Sequence, residues 1–407
     1  MNSTHVFSLR LESELIVWCA RTTVPEPLQA RIRQRVQELL DWKHFLQLVF
    51  YHGVTPLVFQ TLSAMCPELV PRDALDELRR RSQARILLNR ALAQELAEVC
   101  QAFEEQGVEA IALKGAPLAL SAYQDLGLRE FDDLDLVVPQ VRLADAQAVL
   151  KSVGFRPLSR SRDEFQSSHF DEPYHMYVKD NRPLPVDLQW VMAHQHFMFR
   201  LDRPEFWWRR VPMTLANKTV HVLEPEDLLI VLCVHGSKHA WEQLKWVCDV
   251  AELLRSHPSL DWDRIVARAV EWRCRRLLSL GLEIARRVLD APLPPAVAES
   301  VSADSDMQRL VSRMPATLLA HIHEGVKEEQ AVALYFTLKD SWLDRWRFGL
   351  VLCRDESPVV SDPPHWFRWR LSLAFLACLV RPFQWIVRNL IPRTIRDALN
   401  RTADEAV

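Results

Sequence analysis

Asp133-Leu134-Asp135-Leu136-Val137-Val138 alternates acid and apolar residues, then runs apolar until Pro139. A period of two marks a β-strand, whose side chains point alternately to opposite faces. Asp133 and Asp135 therefore share a face, about 6.6–6.8 Å apart along the strand, and Leu134 points away from them. Acids at strand starts are common on solvated edges. Here Asp135 is flanked by Leu134, Leu136, Val137 and Val138, so the strand is expected to be buried, and a buried acid needs a partner. Two carboxylates aimed together repel unless a cation lies between them, and hard divalent ions prefer carboxylate oxygen. Val186-Asp187-Leu188 places a third acid between apolar residues on a later segment. If the two strands are neighbours, the three carboxylates converge. Such a cluster can hold two Mg²⁺ ions, with Mn²⁺ as a substitute, and assist in-line attack on a phosphoryl group. Asp132 reads as a loop residue.

Upstream of this strand, Leu88, Leu92, Leu96, Val99 and Phe103 lie on one helical face that ends at Gly107. Residues 108–113 form an apolar run of strand length. Lys114-Gly115-Ala116-Pro117 is a turn, and Pro117 suits the first turn of a new helix. Residues 125–131 are a polar loop containing Gly127 and Arg129. Downstream, residues 143–153 read as a helix closed by Gly154. Residues 175–178 and 184–190 read as strands joined through Lys179-Asp180-Asn181-Arg182-Pro183, which suits a hairpin. Pro185 argues for an edge position or a late strand start. The order helix, strand, helix, strand, helix, strand, strand implies an α+β fold, a small mixed β-sheet with helices on one face. Helical periodicity recurs on both sides, over 29–40, 42–51 and 57–65, then over 225–234, 241–254, 262–272 and 274–289. The first group is broken at His52-Gly53-Val54-Thr55-Pro56. Residues 296–355 read as further helix and 356–365 as a loop.

Composition narrows the class. Of 407 residues 49% are hydrophobic, enough for a sizeable core, and the net charge of −3 gives no reason to expect a nucleic-acid partner. Residues 1–10 lack the basic and apolar regions of a secretory signal. The apolar run at 371–380 is about half of a membrane span, so the chain reads as cytoplasmic. The eight cysteines are scattered without a CxxC pair, which suits reduced core thiols better than zinc. Glycine is scarce, nine in all, and no GxGxxG or P-loop occurs. Phosphate handling therefore falls to side chains and metal. His235 and His239 stand at i and i+4, but the Glu of HExxH is missing, which disfavours a zinc protease. Trp241 and Trp246 read as core residues rather than base-stacking platforms.

Taken in order, Leu113-Lys114-Gly115, Arg129, Asp133-Leu134-Asp135-Leu136-Val137 and Val186-Asp187-Leu188 resemble the DNA polymerase beta superfamily of nucleotidyltransferases. The chain is more closely similar to a bacterial family of uncharacterised nucleotidyltransferases seen near polysaccharide and peptide-natural-product genes. His52-Gly53-Val54 with Pro56-Leu57 resembles one flanking segment of that family. His235-Gly236-Ser237-Lys238-His239-Ala240-Trp241, then Leu244-Lys245-Trp246 and Asp249, resembles another. The resemblance covers residues 10–300. It implies metal-dependent transfer of a nucleoside monophosphate from a nucleoside triphosphate to an acceptor, releasing pyrophosphate. Asp133, Asp135 and Asp187 would be its catalytic metal ligands. The acceptor stays open between a small molecule, a sugar, a peptide and a protein. The superfamily turn reads Gly-Gly or Gly-Ser, and its serine touches a phosphate. Here Lys114-Gly115 stands in that place, with Lys114 as a point charge.

Arg129 either anchors the acidic strand by an ion pair or holds phosphate by bidentate contacts. Lys238, His239 and Lys245 either turn toward the phosphate site or pack between helical and catalytic parts. The expected organisation is an N-terminal helical region (1–84), a catalytic core (85–215), a helical domain packing on it (216–300) and a C-terminal helical region (301–407). The aromatic and arginine-rich segment 366–396 either packs back on the helices, the commoner fate, or lies on an anionic membrane surface. A second functional reading is a non-catalytic nucleotide-binding or scaffolding module that keeps the fold, which the altered glycine turn supports.

Overall fold

Helices form where apolar residues recur every three or four positions and can be buried together. The N-terminal ones are α1 (Leu11–Cys19), α2 (Glu26–Val36), α3 (Trp42–Tyr51), α4 (Thr55–Met65) and α5 (Arg72–Glu105). Asp41 caps α3 by accepting the His44 N–H at 3.0 Å. In α5, Leu92, Leu96, Val99 and Phe103 enter the core, while Glu77 pairs with Arg80 and Arg81 along the exposed side. The computed structural model describes residues 10–38, 40–158, 174–180, 182–194, 197–305, 307–312, 328–346 and 348. The chain divides into two compact units, Met1–Arg160 with Phe170–Asp340, and Ser161–His169 with Ser341–Val407.

The centre of the first unit is a five-stranded mixed sheet. Its elements are β1 (Ile111–Ala112), α6 (Gly115–Ser121), β2 (Leu134–Val137), α7 (Leu143–Ser152), β3 (Arg156–Pro157), β4 (Tyr174–Lys179) and β5 (Arg182–Gln189). The strand order is β1-β2-β5-β4-β3. Only β2 and β5 run parallel; the other pairs are antiparallel. This is the expected α+β fold. Leu134, Leu136, Val186 and Leu188 leave one sheet face and join Leu92, Leu96, Phe103, Ala146, Val149 and Leu150 in a single buried cluster. Each such side chain contributes about 1.5–3 kcal/mol on burial. Because the apolar residues claim that face, the alternating acids must leave the other.

Several expectations need correction. The run 108–113 yields only a two-residue strand, β1. Pro185 lies in an interior strand, not at an edge. β2 pairs with β5 only from Val186 onward, so Pro185 precedes the part that is hydrogen-bonded on both sides and costs no ladder bond there. Two hairpins were not foreseen, β6 (Val191–His194) with β7 (Phe197–Arg200), and β8 (Val211–Leu215) with β9 (Lys218–Val222). Ala216 and Asn217, between β8 and β9, both have positive φ, +47° and +64°, the backbone of the tight mirror-image hairpin turns. That hairpin straddles the expected boundary at 215/216, and α5 straddles the one at 84/85.

After the short α8 (Pro204–Arg209) come α9 (Pro225–Lys238), α10 (Leu244–Ser256), α11 (Trp262–Glu271) and α12 (Arg275–Leu289), the four helices read from periodicity. α9, α10 and α12 pack on one another. The second starts at Leu244 rather than 241 because Ala240 and Trp241 turn the chain at positive φ, +50° and +58°. Trp241 is fully buried. α13 (Pro295–Ser302) and α14 (Glu328–Thr337) follow. In the second unit the Ser341 hydroxyl accepts the Asp344 N–H at 3.1 Å. The loop at 356–365 and the segment 366–396 lie outside the described residues. Among those described, no helix is long and apolar enough to cross a membrane, and the six described cysteines are free thiols.

Candidate active site

In the parallel pair of β2 and β5, Asp135 stands opposite Asp187. Partners in a parallel ladder point to the same face, one strand spacing apart, about 4.7–4.9 Å. Asp133 lies one residue before β2. Asp135 is only 5% exposed, while Asp133 and Asp187 are half-buried. The Gln189 Nε2 donates to Asp135 Oδ1 at 2.8 Å, and Lys114 Nζ sits 3.1 Å from Asp135 Oδ2. Lys114 stands just before α6, and Gly115 turns the chain at φ +58°. A Cβ there would meet the Phe131 ring at 3.4 Å and the Asp133 carbonyl at 3.7 Å. Glycine thus supplies both the left-handed turn and its close approach to the acid strand.

Positive charge comes from α9 and α10. The Lys114 ammonium lies 3.4 Å from His235 Nδ1. Burial and the neighbouring Lys114 hold His235 well below the usual imidazole range, so its neutral ring accepts from Lys114, which has no lone pair to offer. Burial, then repulsion from Lys114, lowers Lys238 to about 8 against the pull of Asp187. The His239 ring stacks on Trp246 at 4.7 Å and 21°, and His235 meets both rings edge-on, at 4.8 and 5.9 Å. Trp246 therefore differs from the core residue Trp241: it is partly exposed and part of an aromatic cluster beside the acids.

Arg129 is engaged elsewhere. Its Nε and Nη2 donate to the two carboxylate oxygens of Asp249 on α10, each at 2.8 Å. Tyr123 Oη donates to the same carboxylate at 2.7 Å. Burial pulls the Arg129 pKa down and the Asp249 charge more than offsets this. Of the two roles read from sequence, the geometry shows an ion pair, made to α10 and not to the acid strand. Asn89 secures the loop from below, its Nδ2 donating to the Leu126 and Arg129 carbonyls at 2.7 and 2.8 Å.

The donor set can be weighed against a divalent cation. Asp187 Oδ1 is buried without a hydrogen-bond partner. The Asp135 charge, then burial, pushes Asp133 up to about 6. Burial, then the charges of Asp135 and Asp133, pushes Asp187 up to about 7. These are uncompensated acids, and all-carboxylate oxygen suits Mg²⁺ or Mn²⁺. The expected convergence is incomplete, however. Among the described residues no three His, Cys, Asp or Glu side chains stand close enough to hold one ion together. The physical reason is Lys114, which already serves Asp135 as a cation, with Gln189 on its other oxygen. In its donor chemistry the site fits a cation.

One prediction concerns the metal-free protein. An unfolded aspartate titrates near 3.9, whereas folded Asp187 titrates at about 7. Between these values the unfolded chain has released a proton that the folded one keeps, so stability falls as pH rises from about 4 to about 7 and is level above. Asp187→Asn removes the penalty. Without divalent ions the variant is expected to be the more stable protein, by at most about 4 kcal/mol at neutral pH. The gap should close toward pH 4. Urea unfolding at several pH values measures it; a gap independent of pH would show that Asp187 is not an uncompensated acid.

Sequence reading missed Gln189, although Asp187-Leu188-Gln189 repeats the period of two that puts it on the acid face. His235 was read at zinc-ligand spacing and within a family-like segment but not as a partner of Lys114; its place one helical turn before Lys238 and His239 was the available signal. Asp249 lies 120 residues from Arg129, and no local pattern announces such a pair.

The chain matches the model of a family described as uncharacterised nucleotidyltransferase over residues 38–290. No curated protein matches it. Solved structures similar to it include a crystal structure of ANT(2")-Ia in complex with adenylyl-2"-tobramycin, at 13% identity, 45% coverage of this chain, 97% of that one and a TM-score of 0.32. A crystal structure of an antigenic nucleotidyltransferase-like protein from Paracoccidioides brasiliensis is similar at 17% identity, 51% and 96% coverage and a TM-score of 0.31. At these scores the two structures add nothing to the family match, which spans more than half of the chain. The chain belongs to the uncharacterised nucleotidyltransferase family.

Proposed function

We propose that this protein transfers a nucleoside monophosphate from a nucleoside triphosphate to a hydroxyl-bearing acceptor, releasing pyrophosphate. The observation that carries the reading is the side-by-side placement of Asp135 and Asp187 on parallel strands, with Asp133 beside them and Lys114 against them. In this reading Asp133, Asp135 and Asp187 hold Mg²⁺ or Mn²⁺, and the bound metal supplies charge neutralisation at the reacting phosphate. The acceptor oxygen forms a bond to the α-phosphorus as the bond from that phosphorus to the β-bridging oxygen breaks. The electron pair leaves with pyrophosphate, and the hydroxyl proton passes to the Asp187 carboxylate, whose Oδ1 has no hydrogen-bond partner in the protein. Lys114, released from Asp135, and Lys238 neutralise the phosphates, and His235 keeps Lys114 oriented. Catalysis is then mostly positioning and electrostatics.

The contact of Lys114 with Asp135 also favours a second reading, a nucleotide-binding or scaffolding module whose Asp135 is permanently paired with lysine. Incubation with triphosphate labelled at the α-phosphorus, Mg²⁺ and candidate sugars, small molecules and peptides separates the two. Transfer of the α-label with pyrophosphate as co-product is the expected result. Release of inorganic phosphate alone would mean a phosphotransferase or hydrolase, and binding without turnover of any acceptor favours the module.

A further inference from the structure

The start of α10 rests on a loop from nearly two hundred residues earlier. Tyr51 Oη donates to Glu242 Oε1 at 2.6 Å, and Gln243 Nε2 donates to the Tyr51 carbonyl at 2.9 Å. The Leu244 N–H donates to His52 Nδ1 at 3.3 Å, and the Lys245 N–H to the His52 carbonyl at 3.1 Å. Leu244 and Lys245 are the first residues of α10, whose amides have no acceptor within the helix. His52 satisfies both. It is fully buried, and burial lowers it to about 4, so its Nδ1 stays an acceptor at neutral pH.

Gly53 completes the device. Its φ is +64°, and a Cβ there would stand 2.8 Å from Lys245 Cδ and 3.6 Å from Lys245 Cβ and Cγ. The lysine stem therefore lies across the bare Cα of Gly53, which sets its direction. Among the described residues, no carboxylate stands within ion-pair distance of the Lys245 ammonium. Burial, then Arg129, pulls its pKa down, and Asp132, Asp249 and Glu130 act on it only from farther off. Its charge is also felt by Asp133 in the acid cluster. A half-desolvated ammonium without a partner is a costly arrangement, and an anion relieves it.

We infer that Tyr51-His52-Gly53 is a positioning device that aims the Lys245 ammonium at a phosphate group of the substrate, an inference that rests on the nucleotide-binding reading above. Lys245 makes the contact; His52 and Gly53 act through it. The device gives the N-terminal helices a part in substrate binding, since α3 and α4 carry the loop between them.

Calorimetry with magnesium tripolyphosphate on the full chain tests this in wild type, Lys245→Ala, Gly53→Ala and the double variant. Lys245→Ala is expected to weaken binding on the order of 10-fold, the loss of one charge-assisted contact. Gly53→Ala should weaken it similarly, and the double variant no further, because both changes remove one interaction. Tyr51→Phe, which loses only the bond to Glu242, covers the case in which Gly53→Ala does not fold. It should weaken binding a few-fold in wild type and not at all in Lys245→Ala. A wild type that does not bind tripolyphosphate would overturn the nucleotide reading and this inference together. Normal binding by Lys245→Ala, or losses that add in the double variants, would leave that reading standing and overturn this one.

Discussion

Asp135→Asn is expected to lower nucleotidyl transfer on the order of 1,000-fold while leaving the fold intact. The asymmetry follows from the surroundings of this residue. Asn keeps the shape and the Oδ1 that accepts from Gln189 Nε2, so the β2 and β5 interior is undisturbed. It removes one of three neighbouring negative charges, which relieves Asp133, whose pKa is raised foremost by Asp135. Lys114 loses an ion-pair partner but keeps His235. Activity has no such compensation. A metal ligand is worth several kcal/mol of transition-state charge stabilisation, and each 1.36 kcal/mol is tenfold in rate. Pyrophosphate release, followed beside a urea unfolding curve, checks both halves. Activity within tenfold of wild type would remove Asp135 from the metal site.

Asp249→Ala is expected to do the reverse, costing about 3–5 kcal/mol of stability. The carboxylate is 1% exposed, and its arginine partner 6%. Its removal strands a buried guanidinium and the Tyr123 hydroxyl together. Arg129→Met with Asp249→Leu should recover most of the loss, because apolar replacement of a whole buried pair is often neutral or better. This pair ties the loop ahead of the acid strand to α10, and so fixes the acids relative to Lys245 and Trp246. Denaturant midpoints of the single and double variants form the cycle that measures the coupling. A loss below about 1 kcal/mol for Asp249→Ala would show that the site tolerates the lone arginine and that the tie is not structural.

How much of this was legible depends on how local each signal is. The acid strand could be read because alternation and apolar flanks are properties of six consecutive residues. α3 could be read to its ends because Asp41 supplies a cap. The first half of α5 was read only as part of the helical region 1–84 and not joined to the helix at 88–103, since charged residues dominate its first turns and only Ala74, Leu75 and Leu78 mark its buried face. The β8–β9 hairpin lacks the glycine that marks such turns, its positive φ values falling on Ala216 and Asn217. Within the site, the acids were legible and their satisfaction was not. That Lys114 rests on Asp135, that Arg129 belongs to Asp249, and that Gly53 lies beneath Lys245 are facts of tertiary packing between segments far apart in the chain.

The most direct test of the central claim is thermal stability with ATP, GTP, CTP and UTP, each with and without Mg²⁺, for wild type and Asp135→Asn. The expected result is a rise in Tm for wild type with at least one nucleotide, dependent on Mg²⁺ and lost in the variant. A wild type indifferent to all four nucleotides, or a shift that persists without Mg²⁺ and in Asp135→Asn, would contradict a metal-dependent nucleotide site at these acids.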